Sequence, residues 1–88
     1  MSYLVNLKLD GRKVLVVGAG AVAHRKIAGL REAGAEVRVV APSCLEEIRR
    51  MADSGLVTLA ERGYDTTDLQ GAFLVVAATD DEALNARV

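Results

Sequence analysis

Apolar residues in this chain fall into two kinds of stretch. Some form short unbroken runs, and others recur every three or four positions. The first unbroken run, Val14-Leu15-Val16-Val17, breaks at Gly18-Ala19-Gly20 and passes into a helix-period segment at Ala21-Val22-Ala23. A continuous β-branched and aliphatic run suits a strand buried on both faces, as in a parallel sheet. The pattern predicts a strand over 14–18 and a helix over 20–33. Ala23, Ile27, Leu30 and Gly34 lie on the inward stripe, with His24, Arg25, Arg31 and Glu32 facing away. Gly34 stands where a helix C-cap belongs.

A second strand follows over Glu36–Ala41, with Val37 and Val39 on one face, and Pro42 stops it. Ser43 with Glu46 reads as a capping box opening a second helix, whose stripe is Leu45, Ile48 and Met51 or Ala52, and which Gly55 ends. Glu46 and Glu47 early, and Arg49 and Arg50 later, suit its dipole. Next come a short strand over Leu56–Ala60 and a loop from Arg62 to Gln70 with one helical turn about Thr67 to Leu69. Ala72–Ala78 is apolar throughout and so reads as a central strand. Thr79 with Glu82 is a second capping box, ahead of a helix carrying Leu84 and Val88. Before all of these, residues 4–9 form a short extended arm with Val5, Leu7 and Leu9 on one face. Asp10-Gly11 is a turn signal. The pattern leaves open whether the arm pairs with the first strand as a hairpin.

Strands alternating with helices imply a parallel sheet with right-handed crossovers. The fold class is therefore α/β: a Rossmann-like half with strand order 3-2-1-4, helices on both faces, truncated at residue 88. Ligands of such sheets sit beyond the carboxyl ends of the strands, at the switch point between strands one and four. Three stretches should meet there: Gly18 to Val22, Ala41 to Ser43, and Ala78 to Asp80.

Composition narrows the partners. An 88-residue chain is one small domain, and 51% hydrophobic residues exclude disorder. With only two tyrosines and one phenylalanine, the core must be aliphatic. A net charge of −1 with mixed signs gives no reason to expect nucleic acid or a membrane surface as partner. Cys44 is the single cysteine, so an internal disulfide is excluded and a reducing cytoplasm fits. No leader or membrane-length apolar run is visible. One histidine and one cysteine argue against a His/Cys metal site.

The candidate chemistry centres on the glycines. Gly18 permits a tight turn with unusual backbone angles. Gly20 lets the backbone approach a ligand, and Ala23 is small enough to keep helix and strand close. The helix N-terminus then offers N–H groups to a pyrophosphate. A tight turn that binds nothing is the competing reading. The fingerprint's acid at the end of the second strand is missing, because that place reads Val40-Ala41-Pro42-Ser43. No arginine partner for a 2′-phosphate stands there either, so the choice between NAD and NADP stays open. Ser43 and Thr79 read first as helix caps and second as ligand contacts. Asp80 and Asp81 read as first-turn acids that compensate the dipole. His24 reads as a solvated surface residue. Cys44 could have its thiol pKa lowered by a helix N-terminus, but without a partner base in sequence it reads as structural.

The run from Leu9 to Ala23 resembles the N-terminal domain of siroheme synthases, the precorrin-2 dehydrogenase family. So do Ala23-His24-Arg25-Lys26, Ala33-Gly34-Ala35, Val39-Val40-Ala41-Pro42, and Ala77-Ala78-Thr79-Asp80-Asp81 with Asn85-Ala86-Arg87-Val88. The resemblance covers essentially the whole chain, in order. The Arg25-Lys26 pair and the Ala77–Asp81 run are more specific than the glycines.

The resemblance implies oxidation of precorrin-2 to sirohydrochlorin with NAD as hydride acceptor. In some members it also implies insertion of ferrous iron, and in some a methyltransferase domain. It implies a homodimer and a chain that is the N-terminal part of a longer protein. NAD contacts are implied at Ala21, Val22, Pro42 and Ser43, beside Gly18 and Gly20, with Thr79 near the nicotinamide. The family's catalytic aspartate would follow the next strand, beyond Val88, so no catalytic residue is named here. Arg25 and Lys26 could reach the carboxylates of an acidic tetrapyrrole, although a solvated helix face explains them as well. A regulatory nucleotide-sensing module is the alternative function. Such modules keep an acid after the second strand and give no reason to expect Arg25-Lys26 or Ala77–Asp81.

Overall fold

The computed structural model describes residues 9–78. The expected 4–9 arm, apart from Leu9, the Thr79–Glu82 capping box and the helix with Leu84 and Val88 lie outside the described residues. The elements are β1 (Lys13–Val17), α1 (Ala21–Glu32), β2 (Glu36–Ala41), α2 (Glu46–Asp53), β3 (Thr58–Glu61), a 3₁₀ turn (Thr66–Leu69) and β4 (Leu74–Ala77). All strand pairings are parallel and the order is β3-β2-β1-β4, as the alternation of strands and helices requires.

The sheet has two unequal faces. Val14 and Val16 of β1 and Val37, Val39 and Ala41 of β2 pack with Ala23, Ile27 and Leu30 of α1 and Ile48 of α2. Both α-helices therefore cover one face. The opposite face holds a smaller cluster of Leu15, Val17 and Val40, covered by Tyr64 and Ala72 from the β3–β4 connection. Among the described residues, the expected helical layer on that face is reduced to the 3₁₀ turn. The reason is local. Arg62 to Gln70 is polar and carries no helical stripe, so it crosses as an irregular strap. The fully buried side chains are aliphatic, consistent with the scarcity of aromatic residues.

Both helices end in Schellman motifs. Gly34 (φ +88°) and Gly55 (φ +79°) occupy the left-handed C′ position. Ala35 N–H donates to Leu30 O and Gly34 N–H to Arg31 O, while Leu56 N–H donates to Met51 O and Gly55 N–H to Ala52 O. This geometry corrects the third strand. Leu56 is used to close α2 and is 44% exposed, so β3 starts at Thr58 rather than Leu56. At the start of the described chain, Arg12 N–H donates to Leu9 O across Asp10-Gly11, and only Gly11 has positive φ. That is the signature of a type II turn rather than a type I′ hairpin.

β4 also departs from expectation. Its Leu74-Val75-Val76-Ala77 sequence reads as central, yet among the described residues it is an edge of the sheet, and all four residues are only partly buried. A strand apolar on both faces needs neighbours on both sides to be buried. β1 supplies one of them.

Candidate functional site

The site is assembled by three hydrogen bonds between segments that leave the carboxyl ends of the strands. Gly18 N–H donates to Val40 O at 2.9 Å, Ala78 N–H donates to Val17 O at 2.9 Å, and Leu45 N–H donates to Ala19 O at 2.9 Å. These bonds tie the glycine turn to the end of β2, to the turn before α2 and to the end of β4. The sequence-predicted meeting of these stretches is thus observed as far as Ala78. Thr79 and Asp80 lie outside the described residues.

Gly18 has φ +119°, a conformation closed to L side chains, so glycine is required there by the backbone itself. Gly20 differs. Its φ of −96° and ψ of −161° are open to any residue. A Cβ built on it meets no described atom within 4 Å. Neither backbone strain nor packing against the described residues calls for glycine at this position; besides serving as a helix cap, it leaves room for a ligand to approach the backbone closely. Ala23 is fully buried against the sheet, as the third position of the fingerprint demands.

Gly20 is the N-cap of α1, and the first turn of that helix carries no acid. His24 N–H is the first to close on Gly20 O, at 2.9 Å. The N–H groups of the preceding first turn have no partner within the helix and point out of its end, where an anion is favoured. Ala21 is exposed, and Val22 packs its side chain against the core while its backbone stays in that first turn. His24 and Arg25 are exposed and Lys26 is partly buried.

The second junction corrects the capping box. Ser43 is not the N-cap of α2. That position belongs to Leu45, which has no capping side chain, and the helix begins at Glu46. The bond from Leu45 N–H to Ala19 O draws residues 42–45 across the sheet edge before the helix can start. Pro42 and Ser43 are thereby left exposed beside the glycine turn, and Leu45 is 36% exposed instead of lying on the buried stripe. Cys44 is partly buried against the main core, and burial pushes its thiol up, with Arg49 opposing. The Arg49 backbone N–H of α2 also pulls the thiol down, but burial outweighs it, and the structural reading of Cys44 fits.

Two ionic groups flank this edge. Arg49 of α2 donates Nε and Nη2 to the Glu61 carboxylate at 3.1 and 3.0 Å, and Nη1 to Glu46 Oε1 at 3.1 Å. Those contacts hold Glu61 below its ordinary range and raise Arg49 further. Beyond β3, Arg62 grips the buried Asp68 with both Nη atoms, at 2.9 and 2.5 Å, and Asp65 N–H donates to the same carboxylate at 2.8 Å. Arg62 first, then the Asp65 N–H, lowers the Asp68 pKa against the opposing effect of burial. In the sequence, Arg62 to Gln70 reads as a loop with one helical turn, and that reading misses this pair. The Asp65-x-x-Asp68 spacing of a capping box was the available signal. Among the described residues, no cluster of three or more His, Cys, Asp or Glu could hold a metal, and no helix is long and apolar enough to cross a membrane.

The glycine turn, the acid-free helix start and the open space at Gly20 fit a dinucleotide's pyrophosphate. No acid stands at the end of β2, where the sequence is Val40-Ala41-Pro42-Ser43 instead. Comparison with known proteins agrees. An NAD(P)-binding family model matches residues 5–88. The siroheme synthase of Nitrosococcus oceani is 46% identical over 89 residues, which cover 100% of this chain and 19% of the relative. That of Ectopseudomonas mendocina is 54% identical over 81 residues, covering 92% of this chain and 17% of the relative. Among solved structures, SirC, precorrin-2 dehydrogenase, superposes with a TM-score of 0.85 at 40% identity, over 91% of this chain and 40% of that one. The chain thus spans less than a fifth of these siroheme synthases. It belongs to the NAD(P)-binding family that the model describes, with siroheme synthases among its homologues.

Proposed function

We propose that this chain is the NAD-binding part of an enzyme that oxidises precorrin-2 to sirohydrochlorin in siroheme formation. NAD supplies the hydride acceptor for that oxidation when bound, and the protein supplies binding and orientation. In this reading the N–H groups at Ala21 and Val22 hold the pyrophosphate, with Gly18 and Gly20 giving the backbone its close approach. Pro42 and Ser43 meet the adenosine ribose, and Thr79 lies toward the nicotinamide. The tetrapyrrole would lie over the carboxyl ends of the strands. The reading extends to a homodimer working in the cytoplasm, and to ferrous iron as a second substrate, inserted into sirohydrochlorin.

The observation that carries it is Gly20: a glycine that neither the backbone nor the packing requires, capping an acid-free helix at the switch point. Its support is the likeness to siroheme synthases and to a precorrin-2 dehydrogenase. The test is to incubate the full-length protein with precorrin-2 and NAD and follow NADH and sirohydrochlorin by absorbance. Both should appear in equal amounts. NAD binding without turnover of precorrin-2 overturns the substrate assignment. Adding ferrous iron to sirohydrochlorin and looking for siroheme tests the second step.

A further inference from the structure

The edge of the site that would meet the adenosine ribose lacks the fingerprint acid, so something else must decide between a 2′-hydroxyl and a 2′-phosphate. The register pairs Ala41, the last residue of β2, with Glu61, the last of β3. Glu61 therefore stands on the neighbouring strand level with the start of Pro42-Ser43. From there it binds the Arg49 guanidinium through both carboxylate oxygens, and Glu46 takes a third donor. Glu46 and Arg49 stand in the first turn of α2, directly after Pro42 to Leu45, so the cluster borders the same turn.

A bidentate pair this exposed, 41% and 39% at its side chains, adds little to stability. Its consequence is where it puts charge. Arg49 is the cation on this edge with the planar donor fork that suits a phosphate, and its donors face carboxylates instead. Arg50 is held more loosely to Glu46 at 3.6 Å, and Arg62 is committed to Asp68. Counting Glu46 and Glu47 with Glu61 against Arg49 and Arg50, the edge carries one more carboxylate than guanidinium. A doubly charged 2′-phosphate arriving there meets net negative charge, and the fork of Arg49 is already taken by Glu61.

We infer that Glu61, with Glu46, makes this site select NAD over NADP by holding Arg49 away from the ribose 2′ position. The inference rests on the nucleotide reading above. Glu61 acts as a positioning residue: it sets the partner of Arg49 and does not itself hold the cofactor.

The test is calorimetric titration of the full-length protein with NAD and with NADP, in wild type, Glu61→Gln and Glu61→Ala, with melting curves to show that each is folded. Glu61→Gln keeps the shape and removes the charge, so a readout survives if the alanine variant is unstable. In wild type NAD should bind more tightly than NADP. In the variants the ratio of NADP to NAD affinity should rise about tenfold, as expected for one new charge-assisted hydrogen bond to the 2′-phosphate. Adding Arg49→Ala to either variant should abolish this rise, which a merely structural role for Glu61 would not produce. An unchanged ratio in both folded variants, or wild type that binds NADP as tightly as NAD, overturns the inference while leaving nucleotide binding intact. Wild type that binds neither nucleotide overturns the nucleotide reading and the inference with it.

Discussion

Two β–α junctions leave the same edge of this sheet and treat their helix N-termini in opposite ways. At β1–α1, three residues, Gly18-Ala19-Gly20, make the turn, glycine is the cap, and the first helical turn has no acid. At β2–α2, the turn runs through Pro42 to Leu45, and Glu46 and Glu47 fill the first turn of the helix. Both helix starts carry the same partial positive charge. One carries acids of its own there, while the other carries none, and a Cβ on its cap would meet no described atom within 4 Å. In the proposed reading, the bare one takes the ligand's anion. A helix N-terminus thus becomes a binding site only when its own sequence leaves it unsatisfied.

The largest blow to the contrast is Gly18→Ala. With φ at +119° the new Cβ is strained, so the variant should lose about 1–3 kcal/mol of stability together with nucleotide binding. Denaturant melts with and without NAD would show both losses, and a fully stable variant would mean that the turn relaxes freely.

Gly20→Ala separates the two effects. Its backbone accepts alanine, and the loss of a good cap offsets the benefit of a stiffer unfolded chain to within about 1 kcal/mol. NAD affinity should nevertheless fall roughly tenfold, equivalent to ~1.4 kcal/mol. Unchanged affinity by calorimetry would remove the argument that Gly20 makes room for a ligand.

Ala21→Glu would make the first junction resemble the second. An acid in the first turn of α1 should raise stability by about 0.3–1 kcal/mol while weakening NAD several-fold through repulsion of the pyrophosphate. A variant that binds NAD as well as wild type would show that the bare helix end is not used.

The smallest effect lies on the third exit from the same edge, where Arg62 and Asp68 stitch the β3–β4 strap. The folded Asp68 pKa lies below its ordinary 3.8, so its contribution is present above that value and is lost as pH falls through the folded pKa. Asp68→Asn should therefore flatten the acid limb of a stability-against-pH curve and leave NAD affinity at neutral pH unchanged. An unaltered acid limb would show that the pair contributes nothing to folding.

The elements were largely legible in the sequence because their signals are local. Val14–Val17 has to be buried on both faces, Ala23, Ile27 and Leu30 repeat at helical spacing, and Gly34 and Gly55 end their helices with left-handed residues. The misses are places where a distant partner overrides a local pattern. Ser43-x-x-Glu46 is a good capping box, but the bond from Leu45 N–H to Ala19 O moves the helix start past it. Leu56 looks like strand, but the end of α2 uses its N–H. The Arg49–Glu61 pair joins residues whose relation appears only once α2 and β3 are packed, whereas the Arg62–Asp68 pair is a local contact that the loop reading passes over.

By itself the sequence determined the alternation of strands and helices, the strand order and the glycine turn, because hydrophobic period and the conformational limits of glycine act over a few residues. The tertiary structure decided which face the helices cover, that Gly20 opens onto empty space, and that the carboxylates of Glu61 and Glu46 claim Arg49 beside Ser43. Those facts depend on hydrogen bonds and charges brought together from separate elements, and such distances are fixed only when the sheet is assembled.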